Sequence, residues 1–157
     1  MLVNRYPLKG DRELVLVNSH LSAFDKGELK RQEMNFLRDF ILAEYEKGNF
    51  VIAGGDWNQS PPGFSLTAFG PGYQSKSFLL TNIPDDFMPE GWEWAFDPTE
   101  PTNRYLDKAY KKGETYTCII DFFLVSPNIE VVMNKTFNLN FRNSDHNPVL
   151  MQFRLKK

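Results

Sequence analysis

The 157-residue chain is poor in cysteine and in net charge, and it contains no long apolar run. One cysteine, Cys118, cannot form a disulfide framework within the chain, and its place in an apolar stretch predicts a small buried side chain. A formal net charge of −2 gives no overall attraction to a polyanion, so composition leaves nucleic acid open as a partner without favouring it. No segment could span a bilayer, and residues 1–10 lack the features of a signal peptide. We expect a soluble protein and leave its compartment open.

The length predicts a single domain over residues 1–157. Residues 14–20 begin as an apolar run and end in polar residues, and residues 50–55 form a second apolar run. Both are typical of strands covered on both faces. Between them, Asp25 is a plausible N-cap with Glu28 three positions on, and Gly48 is a helix-ending residue. Apolar residues recur on one face of this predicted helix: Leu29, Phe36, Leu37, Phe40 and Ile41. A strand, helix and strand in this order form a parallel unit, so both strands should end at the same edge of a sheet.

The rest of the chain predicts loops followed by strands. Residues 59–114 contain seven of the ten prolines, which indicates long, ordered surface loops. Three strands joined by short turns are predicted over residues 115–126, 129–139 and 147–155, as antiparallel neighbours at the far side of the sheet. The fold class is therefore α/β with a mixed sheet.

Polar side chains stand where the second predicted strand ends. Gly54 and Gly55 lead out of this strand, and glycines allow the backbone to approach a ligand closely. Asp56 and Asn58 follow, offering a carboxylate and an amide two positions apart. A turn capped by Asp56 explains the same residues, and the local sequence does not decide between the two.

Asp121 interrupts the apolar run of residues 118–125, where an unpaired charge would cost several kcal/mol as a rough estimate. It needs a partner, and a histidine is the obvious candidate. Asp145 and His146 directly precede the last predicted strand. If that strand runs antiparallel to the first two, its beginning lies at the edge where they end. Five polar residues could then converge at this edge: His20, Asp56, Asn58, Asp145 and His146.

Four segments resemble, in order, the signatures of the second half of the endonuclease/exonuclease/phosphatase superfamily: VNSHL at 17–21, GDWN at 55–58, IDFFLVS at 120–126 and SDHNP at 144–148. This superfamily includes deoxyribonuclease I, apurinic endonucleases, neutral sphingomyelinases, inositol-polyphosphate phosphatases and poly(A) deadenylases. The match extends from about residue 14 to residue 155. It implies the C-terminal half of a deoxyribonuclease I-like four-layer α/β sandwich, in which this half contributes one mixed sheet with helices on one face.

The resemblance implies hydrolysis of a phosphodiester or phosphomonoester with the help of Mg²⁺, for which Mn²⁺ is a substitute. By motif position, Asp145 would be a metal ligand. His146 would contact the scissile phosphate and help to activate water, and Asp121 would fix the orientation of its ring.

The remaining motif positions suggest further roles. Asp56 would hold or activate the attacking water, Asn58 would donate to a phosphate oxygen, and His20 would act as a general acid near the leaving group. Asn18 and Arg104, the latter with the two residues before it, fall in segments that resemble the phosphate-side loops of the superfamily. An exposed loop arginine is an equally good interpretation of Arg104.

The first half of the superfamily fold supplies a glutamate metal ligand and an asparagine, and residues 1–13 contain no matching motif. The resemblance therefore implies that the N-terminal half is absent and that the chain alone is weakly active or inactive. Its partners would be that missing half, or a second copy in a homodimer through the exposed sheet face. The substrate would be a phosphate ester of nucleic acid, of an inositol phosphate or of a phospholipid headgroup.

Two other classes of function are compatible with parts of the sequence. A non-catalytic binding module could keep the fold and use its loops for recognition, but it has no need for the whole set of acidic, amide and imidazole groups. An ordinary α/β structural domain could have polar strand ends by coincidence, and Asp121 within an apolar run is the residue that it explains least well.

Overall fold

The computed structural model describes residues 1–24, 27–70, 79–106 and 109–156. In these ranges the chain forms nine strands and one helix: β1 (Leu2–Pro7), β2 (Glu13–His20), α1 (Glu28–Glu46), β3 (Phe50–Asp56), β4 (Glu93–Ala95), β5 (Asn103–Arg104), β6 (Thr117–Cys118), β7 (Asp121–Val125), β8 (Ile129–Thr136) and β9 (Val149–Leu155). Within the described part of the chain, no helix has both the length and the apolar character needed to cross a membrane.

The central element is a five-stranded mixed sheet with the order β1-β2-β3-β7-β4. Strands β2 and β3 are parallel and joined through α1, as the sequence predicts, while the other neighbours are antiparallel. The α/β class and the mixed sheet are therefore confirmed. The parallel pair brings the polar ends of both apolar runs to one edge of the sheet.

Helix α1 packs on one face of this sheet through Met34, Leu37 and Ile41. These residues join the alternate side chains of β2 and β3 in one apolar cluster. The predicted buried face was partly wrong, because Leu29 is 50% exposed and Phe36 is 64% exposed. The buried positions follow a spacing of three and four residues, as expected for a single helical stripe against a sheet. The predicted N-cap Asp25 lies outside the described residues, and the residue that precedes the helix is Gly27.

The C-terminal strands differ from the prediction. Among the described strands, β8 and β9 pair with each other as a separate antiparallel hairpin and do not extend the central sheet. The physical reason is that the sheet has a second apolar face, opposite α1, which needs cover. The hairpin residues Ile129, Val131, Met151, Phe153 and Leu155 pack in one cluster with the side chains of this face: Leu14, Leu16, Phe50, Ile52, Phe123 and Val125.

The predicted strand over residues 115–126 is divided into β6 and β7. Ile120 lies between them, and its backbone bonds outside the sheet: its carbonyl accepts the N–H of Trp57, and its N–H donates to the hydroxyl of Thr102. These contacts replace ladder hydrogen bonds and separate the two strands immediately before Asp121.

The edge strand β1 is tied to α1 by a buried ion pair. Glu44 is only 2% exposed, and its carboxylate accepts two hydrogen bonds of 2.9 Å from the guanidinium of Arg5. It also accepts hydrogen bonds from Lys47 at 2.7 Å and from Asn49 at 2.9 Å. The hydrogen bonds from Arg5, more than the other contacts, lower the pKa of Glu44 to about 2. Removing this carboxylate charge would leave Arg5 with one acidic partner, Glu13.

We expect Glu44→Gln to lower the free energy of unfolding by about 2 kcal/mol, because charged hydrogen bonds to a buried carboxylate are lost. Glu130→Gln, which removes an exposed ion pair with Arg154, should cost less than about 0.5 kcal/mol. The pKa of Glu44 is lowered on folding, so its contribution is complete above its ordinary value of 4.5 and is lost as the pH falls toward 2. Urea denaturation at a series of pH values measures both effects. A difference between wild type and Glu44→Gln that does not shrink in acid would contradict this account.

Candidate functional site

Three polar residues form one row across the central sheet. His20 at the end of β2 is the cross-strand neighbour of Asp56 at the end of β3, and Asp56 is the neighbour of Asp121 at the start of β7. Neighbouring residues in a sheet project from the same face, so the register alone brings one imidazole and two carboxylates together.

The segment with Asp145 and His146 reaches this row through β5 and not through pairing of β9 with the central sheet. The N–H of Arg104 donates to the carbonyl of Asp145 at 3.0 Å, and the N–H of Asn147 donates to the carbonyl of Thr102 at 2.7 Å. Strand β5 also pairs with β6, which ends at Cys118, three positions before Asp121 in the chain. The structure places Asp145 and His146 beside the other polar residues, by a route that differs from the one expected from the sequence.

Five side chains of the row and of this segment lie close together: His20, Asp56, Asp121, Asp145 and His146. His146 Nδ1 is 2.8 Å from Asp121 Oδ2, so the histidine partner predicted for Asp121 is present. His146 Nε2 is 3.9 Å from Asp56 Oδ2 and 3.9 Å from Asp145 Oδ2. His20 Nε2 is 3.4 Å from Asp56 Oδ2, with the His20 side chain 73% exposed. The result is a polar cluster in which the carboxylates of Asp56 and Asp121 are mostly buried and the imidazole of His20 is open to solvent.

The electrostatics of the cluster follow from its crowding. Burial, with the nearby charge of Asp121, raises the pKa of Asp56, although the Asn58 N–H and both imidazoles oppose this shift. The hydrogen bond with Asp121 is the main cause that raises the pKa of His146. Within the described ranges, one ligand atom each of Asp56, Asp121 and His146 lie within 4.8 Å of one another, a spacing that could hold a metal ion. The cluster therefore favours groups that carry a positive charge, such as a protonated imidazole or a cation.

The turn after β3 is fixed by Trp57 and Asn58. The Trp57 ring is buried against Phe122, and its indole N–H donates to the Phe122 carbonyl at 3.0 Å. Asn58 is also buried, and its side-chain amide donates to the Leu21 carbonyl at 2.8 Å. Its backbone N–H donates to Asp56 Oδ1 at 2.8 Å, so the turn capped by Asp56 is present. Asn58 thus joins the ends of β2 and β3, and one of its two amide hydrogens is used for this purpose.

Asn18 and Arg104, the two predicted substrate-side residues, lie beside the cluster. Asn18 is exposed two positions before His20 on β2, so it projects from the same face of the sheet. The backbone of Arg104 bonds to Asp145, while its guanidinium Nη1 donates to the Tyr105 carbonyl at 3.1 Å. Their roles toward a substrate stay predictions.

Thr102 and Asn103 also belong to the site, although the sequence predicts no separate role for either residue. The Thr102 hydroxyl accepts the N–H of Asp121 at 3.0 Å, and the Asn103 amide nitrogen is 3.0 Å from His146 Nε2. Their segment was noted only for its likeness to a phosphate-side loop. No local sequence signal indicates these contacts, because the partners are 19 and 43 residues away.

Gly55 is needed where β3 reaches the site. Its φ of 134° is disfavoured for other residues, and an added Cβ would overlap the backbone of Ser19 on β2. We expect Gly55→Ala to lower the free energy of unfolding by about 4 kcal/mol or more, since strain and overlap add together. Gly113→Ala is the matched control, because it has a φ of 80° but open space around the added Cβ. It should cost about 1 kcal/mol. Equal losses for the two variants in chemical denaturation would contradict the overlap.

The chain shares its fold with solved structures of endonuclease/exonuclease/phosphatase proteins. It superposes on the Xenopus laevis APE2 catalytic domain with a TM-score of 0.64 and 18% identity, covering 98% of this chain and 55% of that one. For the endonuclease/exonuclease/phosphatase from Bacteroides vulgatus the TM-score is 0.59 and the identity 20%, covering 94% and 51%. For Danio rerio TDP2, solved with a single-strand DNA product, the values are 0.61 and 13%, covering 97% and 60%.

The three solved structures agree with the superfamily resemblance of the sequence. The chain spans roughly half the length of each. No protein-family model matches the chain, and no curated protein matches it in sequence.

Proposed function

We propose that this chain is the C-terminal catalytic half of a metal-dependent phosphoesterase that hydrolyses a phosphodiester or a phosphomonoester. The observation that carries the proposal is the meeting of Asp56, Asp121, Asp145 and His146 with His20 at one edge of the sheet, from segments distant in sequence. A structural domain gains nothing from burying adjacent carboxylates, since each loses hydration. The shared fold is consistent with the proposal, because proteins with this architecture include nucleases and phosphatases by their names.

The donor chemistry of the cluster fits Mg²⁺, with Mn²⁺ as a substitute. Carboxylate oxygens are the ligands that these cations prefer. We assign Asp145 as a ligand, because its side chain is at the rim of the cluster and one-third exposed. Asp121 is less available, since one of its oxygens already bonds to His146. A bound cation would neutralise charge that develops on the phosphate oxygens during attack by water.

The residues around that position take distinct roles. His146, oriented by Asp121, would contact the phosphate through Nε2. Asp56 Oδ2 lies between the two imidazoles and would hold the attacking water. His20 is the most exposed member, so it would donate a proton to the leaving group on the solvent side. Asn58, with its second amide hydrogen, would stabilise charge on a phosphate oxygen.

We also propose that a further half of the fold normally completes the site. Residues 1–13 contribute the edge strand β1 and no additional carboxylate to the cluster in the described contacts. A missing metal ligand would weaken metal binding and make its position less exact, so the chain alone would be a slow enzyme or inactive. Nucleic acid, inositol phosphate and phospholipid headgroups remain the candidate substrates.

Metal binding tests the first part of the proposal. We expect Mn²⁺ to bind the wild-type chain in isothermal titration calorimetry, and Asp145→Asn to weaken binding at least about tenfold. Asp39→Asn, which removes an exposed acid of α1, is the control and should bind like wild type. Unchanged affinity in Asp145→Asn would remove Asp145 from the ligand set.

Hydrolysis tests the second part. Joined to an upstream segment that supplies the missing glutamate, the chain should hydrolyse bis-p-nitrophenyl phosphate in Mg²⁺. Asp56→Asn and His146→Asn should each lower kcat by about 100-fold or more, while Asp39→Asn should not. The chain alone should show slow turnover or none. Full activity without the upstream segment would mean that the site is already complete.

The partner proposal concerns the sheet face opposite α1. The hairpin covers part of this face, but Leu2 and Tyr6 of β1 remain 62% and 50% exposed. We expect the chain alone to form a homodimer through this region, and Leu2→Glu with Tyr6→Glu to yield monomers. Phe36→Ser, on the opposite face, is the control and should stay dimeric. Size-exclusion chromatography with light scattering measures the mass, and a monomeric wild type would contradict the dimer.

A further inference from the structure

We propose that Thr102 and Asn103 are positioning residues that hold the Asp121–His146 pair from both of its ends. They are adjacent in the chain, with Thr102 directly before β5 and Asn103 its first residue. Thr102 contacts the backbone that carries Asp121, and Asn103 contacts the ring of His146. The meaning of this arrangement for catalysis rests on the proposed function of the pair. The positioning itself is a property of the folded chain.

Thr102 fixes the start of β7. It is 1% exposed, and its hydroxyl oxygen accepts hydrogen bonds from the backbone N–H groups of Ile120 and Asp121, both at 3.0 Å. Its own backbone bonds on both sides, since its N–H donates to Cys118 at 2.9 Å and its carbonyl accepts from Asn147 at 2.7 Å. One buried residue therefore connects the segment of Asp121 with the segment of His146. A change in this residue would alter the distance between them.

Asn103 holds the ring of His146. Its side-chain nitrogen is 3.0 Å from His146 Nε2 and donates to the carbonyl of Asp145 at 3.3 Å. The amide oxygen lies on the other side, where the buried thiol of Cys118 donates to it at 3.9 Å. An amide nitrogen has hydrogens and no acceptor capacity, so Nε2 is the acceptor of this hydrogen bond.

The two contacts of the ring agree in their hydrogen-bond direction. In a neutral imidazole one nitrogen donates and the other accepts, so acceptance at Nε2 requires that Nδ1 donates to Asp121. The ring is then held at both nitrogens and cannot rotate without breaking a hydrogen bond. Asn103 thus keeps Nε2 turned toward Asp56 and Asp145 until a donating water molecule takes its place. It acts through His146 and does not itself react.

The test uses the imidazole signals of the whole chain, which has only two histidines. His20→Gln assigns the two sets of NMR resonances. In the wild type with a neutral ring, long-range ¹⁵N correlation should find the His146 proton on Nδ1. In Asn103→Leu, which has a similar shape but no donor, the His146 ring signals should shift and broaden. The His20 signals are the internal control and should stay unchanged.

Thr102 is tested by a matched pair of variants. Thr102→Val keeps the shape and removes the hydroxyl, so the His146 signals should shift as the start of β7 moves. Thr102→Ser keeps the hydroxyl and should restore the wild-type signals. A buried threonine with only a structural role would affect thermal unfolding in the two variants without this difference at His146.

Three results would overturn the proposal. They are a proton on Nε2 in the neutral wild-type ring, unchanged His146 signals in a folded Asn103→Leu, and a folded Thr102→Ser with displaced His146 signals. If Thr102→Val does not fold, the serine and leucine variants still decide. None of these measurements requires turnover, so a chain without phosphoesterase activity can still show the positioning, and an active chain can still lack it.

Discussion

The arrangement of the site depends on the register of three neighbouring strands. Because β2 and β3 are parallel and β7 is antiparallel to them, two strand ends and one strand beginning meet at the same edge. The register then makes His20, Asp56 and Asp121 direct neighbours on one face. A shift of one residue in any of the three strands would turn its polar side chain to the α1 side, into the apolar cluster. The apolar cores on both faces oppose such a shift, so the packing of the sheet also maintains the geometry of the site.

This arrangement places carboxylates at a point where the fold must compensate for them. Asp56 and Asp121 are mostly buried, and the nearby charge of Asp121 contributes to the raised pKa of Asp56. His146 relieves part of this repulsion by its hydrogen bond to Asp121, and Asn58 relieves another part by its N–H to Asp56 Oδ1. The segment of Asp145 is held by the backbone of β5, where the N–H of Arg104 donates to the Asp145 carbonyl. The polar network is therefore connected across four segments of the chain, and removal of His146 would leave the charge of Asp121 without this hydrogen bond.

The sequence predicts the parts of this site that depend on local patterns. Apolar runs that end in polar residues predict β2 and β3, and Asp121 within an apolar stretch predicts a charged or imidazole partner. The sequence did not predict that Met34 is buried and Phe36 exposed, because the apolar residues of α1 are compatible with more than one buried face. The hairpin β8–β9 was misassigned for a related reason. Its apolar residues suit a neighbouring strand or a second layer equally well, and only the uncovered face of the central sheet decides.

The contacts of Thr102 and Asn103 show a stricter limit. Asn103 forms an isolated bridge with His146, and Thr102 bonds to the start of β7. Strand β5 has only two residues and no apolar pattern that would predict either contact. Sequence reasoning recognises a catalytic residue by its chemical type, but a residue that holds another in place can have almost any polar type. Such residues become visible only when the fold brings their partners within hydrogen-bond distance.

Electrostatics give the strongest physical reason to expect a cation in this cluster. Two unit charges of the same sign 4 Å apart repel by about 4 kcal/mol at the effective dielectric of a protein surface. A phosphate that approaches His146 would meet Asp56 and Asp145, each with an oxygen 3.9 Å from Nε2. The imidazoles offset only part of this repulsion, and they do so only when protonated. A divalent cation at the same point would reverse the sign of the field, so Asp145, which would otherwise help to exclude a phosphate, would hold the ion that attracts it.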